Sequence, residues 1–254
     1  MSRLRGEEKW AAACIQASLP GVTVNQHDDG SRQSMYDLVL IRDESPFGCC
    51  EVTAVPDAAS TALWNELNAG ERWIEPDLVG GWLLTLKPGC LAKELRRRIP
   101  GLLRRLESGR NDIETYVTLQ SLGVLRSQQG ATNFPGSIYT SVEPTTDFTS
   151  GNAVGTADRL VEWFNDWVRR SEQADNLHKL RSSGLAERHL FVIVPDFTSA
   201  PYPVCELLAK DDIPLPLVPP KLPNGITHLW FMSTWHSGPI LHWAPGWTKF
   251  RKIY

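Results

Sequence analysis

The sequence lacks long hydrophobic runs: no stretch of about 18 apolar residues, the length that crosses a membrane, occurs in its 254 residues. The opening residues, MSRLRGEEKW, also lack the apolar core of a signal peptide. We therefore expect a cytoplasmic protein with no membrane partner. A strong charge of one sign is missing too, because 26 Lys and Arg stand against 29 Asp and Glu. Any nucleic-acid contact must then come from a local basic patch.

The spacings that hold structural metals or disulfides are also missing. The five cysteines are odd in number, none has CxxC spacing, and Cys49 and Cys50 are adjacent in a predicted strand. This pattern is typical of reduced, buried thiols and not of a disulfide framework or a zinc site. The six histidines contain no HxxxH pair. Histidine spacing therefore identifies no metal or catalytic site.

The first third of the chain has clear local patterns. They predict, in order, a helix, three strands, a helix and a strand. These elements are predicted at 5–18, within 22–30, at 36–43, at 49–55, at 58–69 and at 80–89. Composition and this order indicate a single α/β domain over 1–254.

Beyond residue 90 the patterns are less regular. Residues 91–107 are helical but contain Pro100 and Gly101, which predicts two short helices or a kink. Residues 130–156 predict a long surface loop or a weak boundary, so two subdomains remain an alternative. An amphipathic helix at 156–173, a central strand at 189–196 and a hairpin of 228–235 with 240–247 follow. We expect residues 150–254 to extend the same α/β unit.

Two carboxylates stand out because they lie in predicted strands. Glu51 lies in the apolar segment CCEVTAV, and Asp37 lies near the start of the preceding strand. A carboxylate is costly to bury without a partner. If the two strands pair, the carboxylates approach each other, which is unfavourable unless a cation lies between them. Mg²⁺ or Mn²⁺ bound by Asp37 and Glu51 is the simplest such cation.

Simpler readings of these residues exist. Asp37 is then an edge residue hydrogen-bonded to a turn, and Glu51 pairs with an arginine such as Arg42. Two further acids, Glu7 and Glu8, fall in the first turn of the first predicted helix, where carboxylates favour the helix dipole.

The order of elements, with Asp37 in YDLVL and Glu51 in EVT, resembles the PD-(D/E)XK nuclease superfamily. The resemblance covers residues 5–88 and implies a restriction-endonuclease-like core with a C-terminal α/β extension. It also implies metal-dependent hydrolysis of phosphodiester bonds, with Asp37 and Glu51 as metal ligands. The helix-1 glutamate of some members is matched by Glu7 or Glu8.

The chain departs from that family at the lysine of the E-x-K motif, where it has Thr53. In the family this lysine orients the attacking water and stabilises charge on the phosphate. Thr53 can hydrogen-bond a water or a phosphate oxygen but brings no positive charge. Lys87, after the strand at 80–89, is the candidate replacement, and Lys9 is a weaker one. A chain without such a lysine would be a non-cleaving relative.

A basic segment supplies the candidate nucleic-acid contacts. Its cations are Lys93, Arg96, Arg97, Arg98, Arg104 and Arg105. Such a cluster binds phosphates in a salt-sensitive way, but a solvated helix face has the same composition. Aromatic residues crowd 230–250, where they form a tryptophan-rich core, an oligomer interface or a stacking surface.

The resemblance thus implies a divergent metal-dependent nuclease acting on DNA or RNA. The alternative is a catalytically inactive nuclease-like module that binds nucleic acid or protein. A third interpretation, a small-molecule binding protein, is supported only by the aromatic residues of the C-terminal part. Expected partners are nucleic acid and a second copy of the chain, as a homodimer or within a larger complex.

Overall fold

A computed structural model describes residues 4–68, 72–109, 113–130, 134–143, 157–234 and 238–253. The chain is mixed α/β and divides into two units. The first unit contains Met1–Val55, Asp147–Asp196 and Ala200–Tyr254, and the second contains Pro56–Thr146 and Phe197–Ser199. No helix in the described ranges is long and apolar enough to cross a membrane.

The elements are numbered in chain order. They are α1 (Gly6–Ser18), β1 (Thr23–Gln26), β2 (Leu38–Arg42), β3 (Ser45–Ala54), α2 (Ala58–Asn68), β4 (Trp82–Leu86), α3 (Ala92–Glu107), α4 (Ile113–Ser121), β5 (Val124–Gln129), β6 (Ile138–Val142), α5 (Asp158–Trp167), a 3₁₀ turn (Ser171–Gln173), α6 (Ala174–Ser182), β7 (Glu187–Val194), α7 (Tyr202–Ala209), β8 (His228–Ser233), β9 (Ile240–Ala244) and β10 (Gly246–Phe250).

The first unit is built on a seven-stranded mixed sheet. Its strand order is β1-β2-β3-β7-β8-β9-β10. The central pairs β3–β7 and β7–β8 are parallel, and the outer pairs are antiparallel. β7 is apolar over most of its length, as expected for a strand covered on both faces.

Helices cover both faces of this sheet. Alternate residues of a strand point to opposite faces, so Phe191 and Ile193 of β7 pack in the core beside α1. Leu190 and Val192 pack in the core formed with α5, α6 and α7. Glu51 shares the second face with Cys49, beside α6.

The second unit has its own sheet and core. β4 is central in the order β5-β4-β6, antiparallel to β5 and parallel to β6. Leu84 and Leu86 of β4 pack with Leu95, Ile99 and other apolar residues of α2, α3 and α4. The second unit therefore has a hydrophobic core distinct from the two cores of the first.

Several predicted elements are confirmed and others differ. α1, β1, β2, β3, α2 and the central position of β7 agree with the patterns. α3 is one continuous helix through Pro100, so the predicted alternative of two short helices is wrong, because burial of Leu95, Ile99 and Leu103 outweighs one lost hydrogen bond. The strand predicted at 80–89 forms as β4, but in the three-stranded sheet.

The segment predicted as a loop contains one strand. β6 lies within 130–156 and pairs with β4, while 131–133 and 144–156 fall outside the described residues. The predicted hairpin is present as β8 and β9, with 235–237 outside that description. The boundaries 5–88 and 150–254 do not coincide with the two units, because β4 and α2 belong to the second unit.

A substitution of Phe231 tests the packing of the core beneath α5. Its ring meets Phe164 edge-on at a centroid distance of 5.6 Å and is fully buried. We expect Phe231→Ala to lower the free energy of unfolding by about 3–5 kcal/mol in urea titrations. Leu217→Ala, at an exposed position, should change it by less than about 0.5 kcal/mol. Equal effects of the two substitutions would contradict the assigned core.

Candidate functional site

Asp37 and Glu51 are brought together by the pairing of β2 with β3. The antiparallel register pairs Leu38 with Cys50, and continuing it by one residue places Asp37 opposite Glu51. Both side chains are nearly inaccessible, at 3% and 2% exposure. Residues opposite each other on neighbouring strands interact directly. The two carboxylates therefore form one electrostatic group, as the sequence predicts.

The cation at Glu51 is Lys179. Its Nζ lies 2.8 Å from Glu51 Oε1 and 3.4 Å from Asp175 Oδ2. α6 carries Lys179 over β3, and the contact of Cys49 Sγ with Ser183 Oγ at 3.2 Å lies just beyond the helix end. An ammonium group thus compensates the buried carboxylate. Arg42, the arginine considered from sequence, lies instead over the ring of Phe47 at 4.4 Å.

Asp37 is held by the backbone and by α1. The backbone N–H of Val52 donates to Asp37 Oδ2 at 2.7 Å. Arg5, at the start of α1, places a guanidinium nitrogen 3.6 Å from Asp37 Oδ1 and also pairs with Glu8. Glu8 is buried and adds negative charge near Asp37. The group therefore contains three buried acids, Asp37, Glu51 and Glu8, and two bases, Arg5 and Lys179, and the exposed Asp175 also pairs with Lys179.

Burial dominates the electrostatics of this group. It raises the pKa of Glu51 to about 8, with a further increase from Asp37 and an opposing effect of Lys179. Burial, with Glu8, also raises the pKa of Asp37. Burial lowers the pKa of Lys179, but pairing with Glu51 outweighs it and the net direction is upward. Additional positive charge would stabilise the ionised carboxylates.

One oxygen of the group lacks a protein partner. Glu51 Oε2 is buried and accepts no hydrogen bond from the described residues. An unsatisfied buried carboxylate oxygen is costly. Together with Asp37 it offers the hard oxygen ligands that Mg²⁺ and Mn²⁺ prefer. Asp37 and Glu51 are therefore the residues of this group that could hold a divalent cation.

A cavity of about 270 Å³ adjoins this group. One wall is the connection between β1 and β2, through residues 27 and 32–36, and the other is Lys179, Ser182 and Ser183 at the end of α6. Lys179 thus borders both the carboxylates and the cavity. We name this space the α6 cavity.

The other residues predicted for the site lie in different places. Thr53 is half-buried on β3, two residues beyond Glu51. Glu7 is exposed, whereas Glu8 turns inward toward Arg5. Lys87 is exposed, follows β4, and belongs to the second unit. Lys179 was not identified from sequence, because nothing local links it to a strand 128 residues earlier.

The predicted basic segment forms α3, and half of its cations are engaged within the second unit. Arg96 donates to the carbonyl of Leu67 at 2.9 Å. Arg97 pairs with Glu94 at 2.6 Å, and Arg104 pairs with Asp77 at 2.8 Å. Within the described residues, Lys93, Arg98 and Arg105 make no ion pair, so they are the cations of α3 still available to phosphates.

The aromatic C-terminal segment is divided between core and surface. Trp230 and Phe231 are fully buried in the cores on opposite faces of the sheet. Trp243 and Trp247 contact each other edge-on at 5.3 Å and are half-buried against the core beside α5. The core interpretation therefore accounts for most of these side chains.

A second polar group lies on the opposite face of the sheet and was missed from sequence. Glu187, His189 and His228 bring their ligand atoms within 4.8 Å of one another. The parallel register of β7 and β8 pairs His189 with His228, and their rings stack at 4.1 Å. The only local signal is two histidines, each at the start of an apolar strand.

Hydrogen bonding argues against a metal at this second group. Trp230 Nε1 donates to His189 Nδ1 at 3.0 Å, so the ring proton resides on Nε2 and points to Glu187 Oε2 at 3.1 Å. That nitrogen has no free lone pair for a metal. A ligating imidazole also needs the metal in its ring plane, which two stacked rings cannot both provide. We interpret the group as a hydrogen-bonded structural element.

Comparisons with known proteins identify no relative. No family model, no curated protein and no solved structure matches the chain.

The stacked histidines predict acid sensitivity. Burial lowers the pKa of His228 to about 4 and that of His242 to about 3. Because these pKa values lie below those of the unfolded chain, the unfolded chain binds more protons below about pH 6.5. The stability that each neutral histidine contributes is present above that pH. It is lost as the pH falls toward 4, by up to about 1.4 kcal/mol per pH unit for each histidine.

Urea unfolding between pH 7 and 4 measures this loss. We expect His228→Gln to have a shallower pH dependence of the free energy of unfolding than the wild type. His178→Gln, at an exposed position of α6, should retain the wild-type slope. The same slope in all three proteins would contradict the assignment of His228 as a buried neutral group.

Proposed function

We propose that the first unit is a divergent metal-dependent nuclease that hydrolyses phosphodiester bonds in DNA or RNA. The observation that carries the proposal is the group formed by Asp37, Glu51 and Lys179. Two buried carboxylates from neighbouring strands and one lysine match the chemistry of the PD-(D/E)XK site, with the lysine supplied by a helix.

The order of elements around the site supports the same conclusion. α1 is followed by the antiparallel strands β1, β2 and β3, and α6 then leads into β7, which lies parallel to β3. This order resembles the helix-strand-strand-strand-helix-strand order of a restriction-endonuclease-like core. In this comparison β7 has the role that the sequence analysis predicts for the strand at 80–89, and residues 56–146 of the second unit lie between β3 and α6 along the chain.

Lys179 supplies the charge that Thr53 lacks. Its ammonium group is hydrogen-bonded to Glu51 and borders the α6 cavity. From there it can orient a water molecule and stabilise negative charge developing on a phosphate. Thr53, on the same strand as Glu51, offers a hydroxyl group as a second donor.

Asp37 and Glu51 would hold Mg²⁺ or Mn²⁺, which acts as a Lewis acid and lowers the pKa of bound water. The backbone N–H of Val52 keeps Asp37 oriented toward β3. Arg5 and Lys179 favour the ionised forms of the two carboxylates. Glu8 remains paired with Arg5 and is the helix-1 acid of the group.

Nucleic-acid contacts of the second unit are proposed for α3. Lys93, Arg98 and Arg105 carry this part of the proposal, because Arg96, Arg97 and Arg104 have partners within the unit. Each phosphate contact by these cations would add to the salt dependence of binding.

A catalytically inactive module is the second candidate. It is favoured by one observation: each carboxylate already has a cation nearby, Arg5 at Asp37 and Lys179 at Glu51. The burial of Asp37 and Glu51 is therefore explained without a metal. Binding of a divalent ion separates the two candidates.

Cleavage of labelled single- and double-stranded DNA and RNA with Mg²⁺ or Mn²⁺ tests the nuclease. We expect Asp37→Asn and Glu51→Gln to abolish cleavage, because each removes a metal ligand. Lys179→Met should lower the rate by about 10²–10³-fold, and Lys179→Arg should restore part of it. Lys210→Met, at an exposed lysine just after α7, should retain the wild-type rate.

Far-UV circular dichroism of each variant shows whether its fold is intact. Cleavage that survives both carboxylate substitutions would place the active site elsewhere or show a contaminating nuclease. A folded wild-type protein that cleaves none of the four substrates would favour the inactive module.

Thermal unfolding with added Mg²⁺ or Mn²⁺ tests the metal site without any substrate. An ion at 100 times its dissociation constant adds about 2.7 kcal/mol to the stability of the folded state. For a chain of this size we expect Tm to rise by about 5–10 °C. Glu51→Gln should lose the rise, and Glu44→Gln, at an exposed turn position, should keep it. An equal rise in all three proteins would show that ions bind elsewhere.

A further inference from the structure

We propose that the α6 cavity binds one nucleotide of an unpaired strand, so that the substrate is single-stranded nucleic acid or an unpaired position in a duplex. The inference rests on the proposed function and names its substrate class. The nucleotide is recognised by two cations and by the aromatic pair His27–Tyr36.

Positive charge in the cavity matches a phosphate group. Arg32 and Lys179 line it, and none of its lining residues carries a carboxylate. Lys179 also contacts Glu51, so a phosphate bound in the cavity lies next to the proposed metal ligands. Two acids lie in the surroundings of these cations: Asp175 is 3.4 Å from Lys179, and Asp29 interacts with Arg32.

The aromatic part of the wall matches a nucleobase. The rings of His27 and Tyr36 are stacked at a centroid distance of 3.7 Å and 9° from parallel. His27 Nδ1 lies 3.2 Å from the carbonyl oxygen of Tyr36, which fixes the imidazole. Both residues line the cavity. The inner faces of the two rings cover each other, so a base would stack on an outer face of the pair. Such stacking accepts any base, because every base presents a flat π face.

The size of the cavity selects one nucleotide over a base pair. At about 270 Å³, it has the volume of roughly nine water molecules. A base inside a duplex can reach such a pocket only after it leaves the stack. An unpaired strand avoids that cost.

The wall of the cavity is tied to the proposed active site through the backbone. The N–H groups of His27 and Asp28 both donate to the carbonyl oxygen of Asp37, at 2.9 and 3.3 Å. Met35 is buried, and Ser34 between it and Arg32 has the left-handed φ of 59°. The β1–β2 connection therefore places His27 and Tyr36 at a fixed position relative to Asp37.

Fluorescence anisotropy with three probes tests the inference. The probes are a fluorescein-labelled 12-nucleotide DNA strand, the RNA strand of the same sequence, and the DNA duplex of that sequence. Titrations are done in EDTA, where the metal-dependent cleavage cannot occur, and repeated in Ca²⁺. We expect tighter binding of single strands than of the duplex, and the DNA and RNA arms identify the preferred sugar.

Three variants probe the cavity and one serves as the control. Arg32→Gln should weaken single-strand binding and reduce its salt slope by about one. His27→Leu and Tyr36→Leu retain apolar bulk but remove the stacking faces, and each should weaken binding by about fivefold or more. Arg159→Gln removes an exposed arginine of α5 and should leave the affinity within twofold.

Equal affinity for duplex and single strand would overturn the inference, as would equal effects of Arg32→Gln and Arg159→Gln. A protein that cleaves nucleic acid with Mg²⁺ but fails these binding tests would keep the proposed function and lose the nucleotide cavity. A protein that binds single strands through Arg32, His27 and Tyr36 but never cleaves would keep the cavity and lose the nuclease.

Discussion

The first unit depends on the pairing of one buried charge. Glu51 lies in the middle of the sheet at 2% exposure, and an unpaired carboxylate there would cost several kcal/mol. Lys179 compensates it at 2.8 Å and so fixes α6 over β3. α6 in turn leads into β7 and forms one wall of the α6 cavity. The same ion pair therefore determines the helix position, the charge of the proposed site and the surface open to a ligand.

The buried polar side chains on the two faces of the central strands find their partners in different ways. On one face, Glu51 is paired with Lys179, and one of its oxygens accepts no hydrogen bond from the described residues. On the other face, His189 is neutral and uses both ring nitrogens, accepting from Trp230 and donating to Glu187. A carboxyl group with an unused acceptor can bind a cation, whereas His189, with both ring nitrogens hydrogen-bonded, ties β7 to β8. This difference is why the function is proposed at Glu51.

Local sequence patterns predicted the helices and strands better than they predicted which strands pair and which side chains contact each other. α1 and β1 to β3 follow from apolar periodicity and turn residues, and the approach of Asp37 to Glu51 follows from hairpin pairing. Periodicity cannot choose between two apolar strands, β4 and β7, as the neighbour of β3, because pairing depends on the whole fold. Lys179 lies in a short, mostly polar helix. Its role is visible only once the crossover from β3 has placed that helix on the sheet.

The distance along the chain between Glu51 and Lys179 has a consequence during synthesis. A ribosome adds about 5–20 residues per second, so Lys179, which follows Glu51 by 128 residues, is made about 6–25 seconds later. Just before the end of that interval the nascent chain contains β1 to β3 and nearly all of the second unit, but Lys179 and β7 have not yet been made. The apolar edge of β3 is then open to pairing with other chains. The hydrated, negatively charged Glu51 in the middle of β3 opposes such association until Lys179 has been synthesised and can pair with it.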